Sequence, residues 1–270
     1  MAAPNEISLK QLSRLIGTPA APTVVDVRID EDVELDPTLI PTARRFAHTS
    51  LDAVLALHGR RKVVVYCQRG LKLSHGAAAW LRARGVEAEV LQGGHLAWRD
   101  ALHMTVPIAA IPTSAHAGPT RWVTRQRPKI DRLACPWLIR RFIDPDAELL
   151  FVPARDVLAV AERFDAEPFD VEGATLGHRE QRCTFDALCE RFTLYSAPLQ
   201  CLAEIVRAAD LGQPQTVPEA NGLLAVSLGL SRLYRDDNAQ VDAGMLLYDA
   251  LYRWARDARE EQHLDAPNDV

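Results

Sequence analysis

The sequence lacks the features of several protein classes. No apolar run approaches the roughly 18 residues that a transmembrane helix needs. The first twelve residues, MAAPNEISLKQL, show no charged segment followed by an apolar one, as a secretory signal would. No long basic run is present, and the formal net charge of −5 argues against a nucleic-acid-binding surface. We therefore expect a cytoplasmic protein that binds neither membranes nor nucleic acid.

Cysteine is scarce as well. The chain has five cysteines among 270 residues, and no two of them form a Cys-x-x-Cys pair. An odd number of scattered thiols fits a reducing compartment better than a disulfide framework. What the chain does have is 48% apolar and 25% charged residues, the balance of a globular protein long enough for two domains.

A proline-containing segment divides the chain. Residues 107–119, PIAAIPTSAHAGP, contain three prolines and no helical period, which predicts an extended linker. We therefore predict one domain over residues 1–106 and a second over residues 120–270.

The first part predicts an α/β domain with a central parallel sheet. Residues 23–27 and 62–66 are nearly continuous apolar runs, as expected for strands buried on both faces, and residues 87–91 form a third, less apolar run. Residues 50–58 and 74–84 carry helical spacing between and after them. Alternating strands and helices are typical of a parallel sheet.

The second part predicts a mainly helical α+β domain. Two probable strands, residues 121–124 and 148–153, precede four segments with apolar residues at three- and four-residue spacing. These predicted helices are residues 183–193, 197–209, 218–228 and 240–258. The last one aligns Val241, Met245, Tyr248 and Tyr252 on one stripe, which core packing explains and which a homodimer face would explain equally.

The first candidate site is the segment that follows the second predicted strand. Cys67 comes directly after Tyr66, and a short loop then leads to a helix that Ser74 could cap. Loop N–H groups, the helix dipole and the cations Arg69 and Lys72 would all favour the Cys67 thiolate, which is the nucleophilic form. We therefore predict that Cys67 is catalytic and that the loop binds an anion through Gln68, Arg69, Gly70, Leu71, Lys72 and Leu73.

Residues 5–106 resemble rhodanese (thiosulfate sulfurtransferase) domains. Three motifs carry the resemblance: Asp26-x-Arg28 at the end of the first strand, Cys67, and Gly93-Gly94 followed by Trp98. The resemblance implies transfer of sulfane sulfur through a persulfide on Cys67, from a donor such as thiosulfate to a thiophilic acceptor, with no cofactor required. We expect Asp26 and Arg28 to support the site as a buried ion pair.

The loop departs from that family in length. From Cys67 it runs C-x5-L-S, one residue longer than in ordinary single-domain sulfurtransferases, and it matches the C-x5-R-S loop of cysteine phosphatases and arsenate reductases. Leu73 stands where those enzymes have arginine, and leucine cannot make the bidentate contact that an oxyanion favours. Two alternatives therefore stay open: an arsenate- or chromate-type oxyanion reductase that uses Cys67, and a non-catalytic sensor of oxyanion or sulfur.

The second domain contains a further set of candidate ligands. Asp131 and Cys135 lie in one stretch, residues 120–144, and His178 and Cys183 lie in another, residues 176–192. Histidine, thiolate and carboxylate could bind a transition metal. The alternative is that the cysteines pack on helix faces.

Those two stretches, with residues 218–223 and 247–254, resemble the C-terminal domain of the chromate-resistance protein B family. The resemblance implies a link to chromate or other oxyanion stress. In that family a glutamate stands three residues after the histidine, and a histidine often follows a pair of aspartates. Gln181 and Asn238 stand near those positions here, so whether this domain binds a metal stays open.

Overall fold

The first domain is built on a five-stranded sheet in which every strand pair is parallel. The computed structural model describes residues 5–57, 61–112 and 118–261. The strands are β1 (Glu6–Ile7), β2 (Thr23–Asp26), β4 (Arg44–Arg45), β5 (Val63–Tyr66) and β6 (Ala88–Leu91), in the order β1-β6-β5-β2-β4. All four residues of β5 are buried, as its apolar run predicts. The predicted central parallel sheet is confirmed.

Five helices connect or follow these strands. They are α1 (Leu9–Leu15), α2 (Asp30–Leu35), α3 (Asp52–Leu57), α4 (Lys72–Arg82) and α5 (Gly94–Asp100). The first begins at a capping box, in which the Ser8 hydroxyl accepts from the Gln11 N–H and the Gln11 side chain accepts from the Ser8 N–H. Helix α4 follows β5 after a short loop and carries Ser74, whose hydroxyl contacts the Cys67 sulfur.

Part of the predicted linker packs against the domains. Strand β7 (Val106–Pro107) pairs antiparallel with β3 (Thr38–Leu39). A single 3-10 turn, Ile108–Ala110, follows it, and the buried Ala110 accepts hydrogen bonds through its carbonyl from Arg191. Residues 113–117 lie outside the described part of the chain.

The second domain is mainly helical around a small parallel sheet. Strands β8 (Arg121–Arg125), β9 (Glu148–Val152) and β10 (Glu167–Pro168) form this sheet in the order β10-β8-β9. The helices are α6 (Asp131–Leu138), α7 (Val157–Phe164), α8 (Thr184–Arg191), α9 (Ala197–Asp210), α10 (Pro218–Leu233) and α11 (Asp237–Asp257). The predicted mainly helical α+β domain is confirmed, although β10 has only two residues and the sequence pattern does not reveal it.

The apolar stripe of α11 packs into the hydrophobic core. Val241, Tyr248 and Tyr252 are buried, and Met245 packs against the same core. Tyr248 donates a hydrogen bond to the Ile130 carbonyl at 2.7 Å. Core packing therefore accounts for this stripe. Among the described residues, no helix is both long and apolar enough to cross a membrane.

The two domains share one hydrophobic core. Buried residues from both belong to a single cluster, which includes Leu12 of α1 and Phe142 of the second domain. The Phe142 ring lies so close to Gly17 that any side chain there would collide with it. A buried carboxylate, Asp144, pairs with Arg44 of the first domain at 2.6 Å. The cysteine loop therefore belongs to a domain whose core continues into the second.

Candidate active site

Cys67 is the first residue after strand β5, and its sulfur faces the start of helix α4. The side chain is buried, with 5% of the residue exposed. The Leu71 N–H donates a hydrogen bond to Cys67 Sγ at 3.3 Å, and Ser74 Oγ lies 3.2 Å from the same sulfur. The Leu71 N–H and the Ser74 hydroxyl therefore contact the sulfur, and the hydroxyl also lies within hydrogen-bond distance of the Leu71 carbonyl, at 3.0 Å.

The position of Ser74 differs from the prediction that it caps the helix. Helix α4 begins at Lys72, two residues earlier than expected, and its N-cap residue, Leu71, makes no side-chain capping bond. Gly70 has φ of +66°, a left-handed conformation that reverses the chain before the helix starts. Ser74 therefore lies in the first helical turn, fully buried, where its hydroxyl contacts the sulfur.

The environment of Cys67 lowers its pKa. Burial raises the pKa of this thiol, but hydrogen bonds from the Ser74 side chain and backbone and from the Leu71 and Arg69 backbones outweigh that effect, so the net pKa lies below its ordinary value. The thiol pKa shifts in the opposite direction at the other four cysteines, because burial raises the pKa of Cys135, Cys183, Cys189 and Cys201. Among the five thiols, Cys67 is the one that the fold favours as a thiolate.

The Gly93-Gly94 pair forms the floor of the cysteine loop. A side chain at Gly94 would collide with the Cys67 carbonyl and the Gly70 nitrogen. At the start of α5, the N–H of His95 donates to the Cys67 carbonyl and that of Leu96 to the Gln68 carbonyl, both at 3.0 Å. The loop can therefore rest on this helix only because Gly94 has no side chain.

The remaining loop residues divide between solvent and core. Arg69, Leu71 and Lys72 are exposed, and neither the Arg69 guanidinium nor the Lys72 ammonium makes an ion pair with a described residue. Gln68 is half-buried, and Leu73 packs partly against the apolar cluster under the sheet. Two cations thus border the loop, while Leu73 occupies an apolar position.

Asp26 and Arg28 form an ion pair that is shielded completely from solvent. The side chains of both residues are 0% exposed, and the Arg28 guanidinium contacts both carboxylate oxygens of Asp26. Arg28 also donates to the carbonyls of Asp36 and Thr38. The pair holds the end of β2 against the following segment, which is a supporting role.

The second domain brings His178 next to three carboxylates. His178 Nε2 lies 3.4 Å from Asp131, 3.3 Å from Asp170 and 3.1 Å from Asp210. The sequence predicts Asp131 and His178 as candidates, but it does not predict Asp170 and Asp210. Asp170 follows the two-residue strand β10, and Asp210 is the last residue of α9. Neither carries a local signal, and only the folded chain brings them to His178.

The predicted cysteine partners of His178 are turned into the core. Cys135 and Cys183 are both 0% exposed. Cys135 Sγ donates to the carboxylate of Asp131 at 3.4 Å, on the buried side of this carboxylate, and Cys183 Sγ donates to Asp186 at 3.5 Å. Among the described residues, the group whose donor atoms lie within 4.8 Å of one another contains aspartates and His178 but no cysteine.

The carboxylates and the imidazole shift each other's pKa values. A hydrogen bond to Asp131 and the charges of the three aspartates raise the pKa of His178 to about 9, against the opposing effect of burial. Burial and the charge of Asp131 raise the pKa of Asp210 to about 6. His178 and Asp170 also line an open cavity of about 810 Å³.

Comparisons with known proteins match the two domains separately. Residues 8–101 match the family described as the rhodanese-like domain, and residues 122–255 match the family described as ChrB, C-terminal domain. Protein ChrB of Cupriavidus metallidurans is 36% identical over 171 residues, which cover 58% of this chain and 51% of that protein. The chain therefore spans about half the length of this curated relative.

Solved structures match a part of the chain that is about the size of the first domain. A rhodanese-related protein from Thermoplasma volcanium is 22% identical, with a TM-score of 0.33, and the match covers 38% of this chain and 97% of that one. A Rhodopseudomonas palustris protein described as a possible tyrosine phosphatase is also 22% identical, with a TM-score of 0.31, over 37% of this chain and 82% of that one.

Proposed function

Because the chain contains a rhodanese-like domain at residues 8–101 and a ChrB C-terminal domain at residues 122–255, we propose that it is a sulfurtransferase that carries sulfane sulfur on Cys67. We further propose that this activity serves resistance to chromate or other oxyanion stress. The observation that carries the proposal is the lowered pKa of Cys67, together with the N–H and hydroxyl donors around its sulfur.

The proposed reaction has two half-steps. The Cys67 thiolate attacks the outer sulfur of thiosulfate, a new S–S bond forms, and sulfite leaves with the electron pair of the broken bond. A nucleophilic acceptor such as cyanide then takes the terminal sulfur as thiocyanate and restores the thiolate. In the resting enzyme the negative charge lies on Cys67 Sγ, where the Leu71 N–H and the Ser74 hydroxyl stabilise it, whereas in the loaded enzyme it lies on the added outer sulfur.

The charges around the loop support an anionic donor. The side chains of Arg69 and Lys72 lie at the loop and are exposed and unpaired with described carboxylates, so they can attract a dianion to the sulfur. Leu73 stands at the loop position where cysteine phosphatases and arsenate reductases have arginine, and its side chain packs partly against the core. The loop therefore favours sulfur transfer over phosphoryl transfer or oxyanion reduction.

Mass spectrometry of the loaded protein tests the proposal. After incubation with thiosulfate and removal of excess donor, we expect Cys67 to carry one added sulfur atom that cyanide removes. A disulfide between Cys67 and another cysteine after exposure to arsenate or chromate, without sulfur loading, would indicate a reductase instead. Tight anion binding without either modification would indicate a sensor.

We expect Ser74 to influence the pH at which the reaction slows in acid. Activity needs the thiolate, so the rate falls as pH drops through the Cys67 pKa, and a lowered pKa keeps the rate high to a lower pH than an ordinary thiol would. Replacing Ser74 with alanine removes the hydroxyl 3.2 Å from the sulfur. We expect this change to raise the pKa of Cys67 and to move the acid limb of the pH–rate profile to higher pH, because one of the hydrogen bonds that lower this pKa is lost.

A buried serine in the second domain provides the control for this experiment. Ser227 is 0% exposed, like Ser74, so Ser227→Ala removes an equally buried hydroxyl far along the chain from Cys67. Its pH–rate profile should coincide with that of the wild type. An unshifted profile for Ser74→Ala would mean that this hydroxyl does not stabilise the thiolate.

A further inference from the structure

The cluster formed by His178, Asp131, Asp170 and Asp210, here called the His178 cluster, brings oxygens of three carboxylates around one imidazole nitrogen. One imidazole nitrogen, Nε2, lies within 3.4 Å of an oxygen from each carboxylate. That nitrogen carries at most one proton, which can serve one carboxylate well but not three at once. A cation bound between His178, Asp131 and Asp170, whose donor atoms all lie within 4.8 Å of one another, would contact all three of these groups at once.

We propose that the His178 cluster binds one divalent transition-metal ion through His178 Nε2 and carboxylate oxygens of Asp131 and Asp170. This inference does not depend on the chemistry of Cys67. Metal–ligand bonds to these atoms are about 2.0–2.2 Å long, which places neighbouring donor atoms roughly 3.0–3.5 Å apart. The observed separations from His178 Nε2, 3.4 Å to Asp131 and 3.3 Å to Asp170, fall in that range.

A second layer of contacts holds two of the carboxylates in place. The Thr184 and Phe185 N–H groups, at the start of α8, donate to the two oxygens of Asp131 at 2.7 and 2.9 Å. The guanidinium groups of Arg125 and Arg132 pair with one oxygen of Asp170 at 2.9 and 3.0 Å. Contacts of this kind orient the ligands of metal sites. The two oxygens that face His178, Asp131 Oδ2 and Asp170 Oδ1, each accept one other hydrogen bond, from the Thr184 N–H and the Thr184 hydroxyl, and keep a lone pair for an ion.

The cluster is accessible from solvent. The His178 side chain is 41% exposed, and His178 and Asp170 line the cavity of about 810 Å³. An ion can therefore reach the imidazole and this carboxylate without unfolding of the domain.

The donor set selects the class of ion. Carboxylate oxygens with one imidazole suit Mn²⁺, Fe²⁺ and Zn²⁺, whereas Ca²⁺ prefers oxygen ligands alone and soft ions prefer thiolates. Cys135 and Cys183 are buried and bonded to Asp131 and Asp186. The proposed site is therefore free of sulfur.

Calorimetry with the full, tag-free chain tests the site. After treatment with a chelator, the wild type should bind one equivalent of Mn²⁺ or Zn²⁺. His178→Gln and Asp170→Asn should each weaken binding at least about 100-fold, since loss of a ligand costs no less than the outer-shell changes that lower affinity 10–100-fold. The absence of saturable binding by both ions, or an affinity that neither variant changes, would overturn the proposal.

A second histidine provides the matched control. His75 is 50% exposed, and its Nε2 lies 3.6 Å from a single carboxylate, Glu6, so His75→Gln should bind the ions as the wild type does. His178→Gln removes the cation that lies among three carboxylates, so we expect it to lower the melting temperature, and binding is measured at a temperature at which circular dichroism shows each variant folded. If Asp170→Asn does not fold, the His178→Gln result decides the question alone.

Absorption spectroscopy with Co²⁺ identifies the ligands. A site of imidazole and carboxylates gives weak visible bands, whereas a thiolate ligand adds a strong sulfur-to-cobalt band in the near ultraviolet. We expect the weak bands alone, and we expect them to disappear in His178→Gln. A strong sulfur band would mean that Cys135, Cys183 or another thiol holds the ion, and it would refute the proposed donor set.

Discussion

Replacing Cys67 with alanine should abolish transfer of sulfur from thiosulfate to cyanide, with a fall in rate of at least about 10³-fold, because loss of a covalent nucleophile removes the reaction path itself. The side chain is small and 5% exposed, and alanine fills most of its volume. The variant should therefore keep its fold, which circular dichroism and thermal melting will show. The measurement is the steady-state rate of thiocyanate formation.

Cys201 supplies the control for this variant. It is 7% exposed, and burial raises the pKa of its thiol, so Cys201→Ala removes a similarly buried thiol that the fold keeps protonated. It should retain the wild-type rate. Equal rates for Cys67→Ala and wild type would refute the sulfurtransferase proposal. In a chromate-sensitive host, wild type should restore growth on chromate and Cys67→Ala should not, if the reaction serves resistance.

Replacing Gly94 with alanine should destabilise the first domain and disable the cysteine loop. Gly94 has φ of +63°, where an alanine costs about 1–2 kcal/mol. Its methyl group would also collide with the Cys67 carbonyl and the Gly70 nitrogen, and such overpacking costs a further 1–3 kcal/mol, approximately. We expect a loss of roughly 2–5 kcal/mol in the free energy of unfolding, measured in denaturant, and a lower transfer rate.

The variant Gly85→Ala separates the cost of the backbone conformation from the cost of the steric collision. Gly85 has φ of +80°, and a methyl group added there would meet nothing within 4 Å. Gly85→Ala should therefore show the conformational cost alone, about 1–2 kcal/mol, with an unchanged rate. If Gly94→Ala lost no more stability than Gly85→Ala, the loop would have room to move away from α5, and the close packing would not hold it in place.

The nature of the first site could be predicted from the sequence because its signals are local. A buried strand, a cysteine, a glycine and a helix follow one another within about twenty residues, and this order places N–H groups around the sulfur wherever the strand lies. The start of the helix was less predictable. The sequence favours Ser74 as the cap, whereas the turn at Gly70 starts the helix at Lys72 and directs Ser74 to the sulfur.

The composition of the second site, the His178 cluster, could not be predicted from the sequence. His178 and Asp131 are predictable because they lie in distinctive stretches, but the sequence groups them with Cys135 and Cys183, which the fold buries. Asp170 and Asp210 come from chain segments forty residues apart, and each follows or ends an ordinary element. No periodicity or spacing relates them, so the composition of this cluster is a product of packing.

The sequence by itself determined the two domain types, the parallel sheet of the first domain and the place of Cys67 after a buried strand, because hydrophobic period and turn residues act over short distances. Tertiary structure decided the donors that lower the Cys67 pKa, the contact of Gly94 with the loop, the shared core of the two domains and the gathering of three carboxylates around His178. These features depend on contacts between residues that are far apart in the sequence, and such contacts form only when the side chains pack in the folded protein.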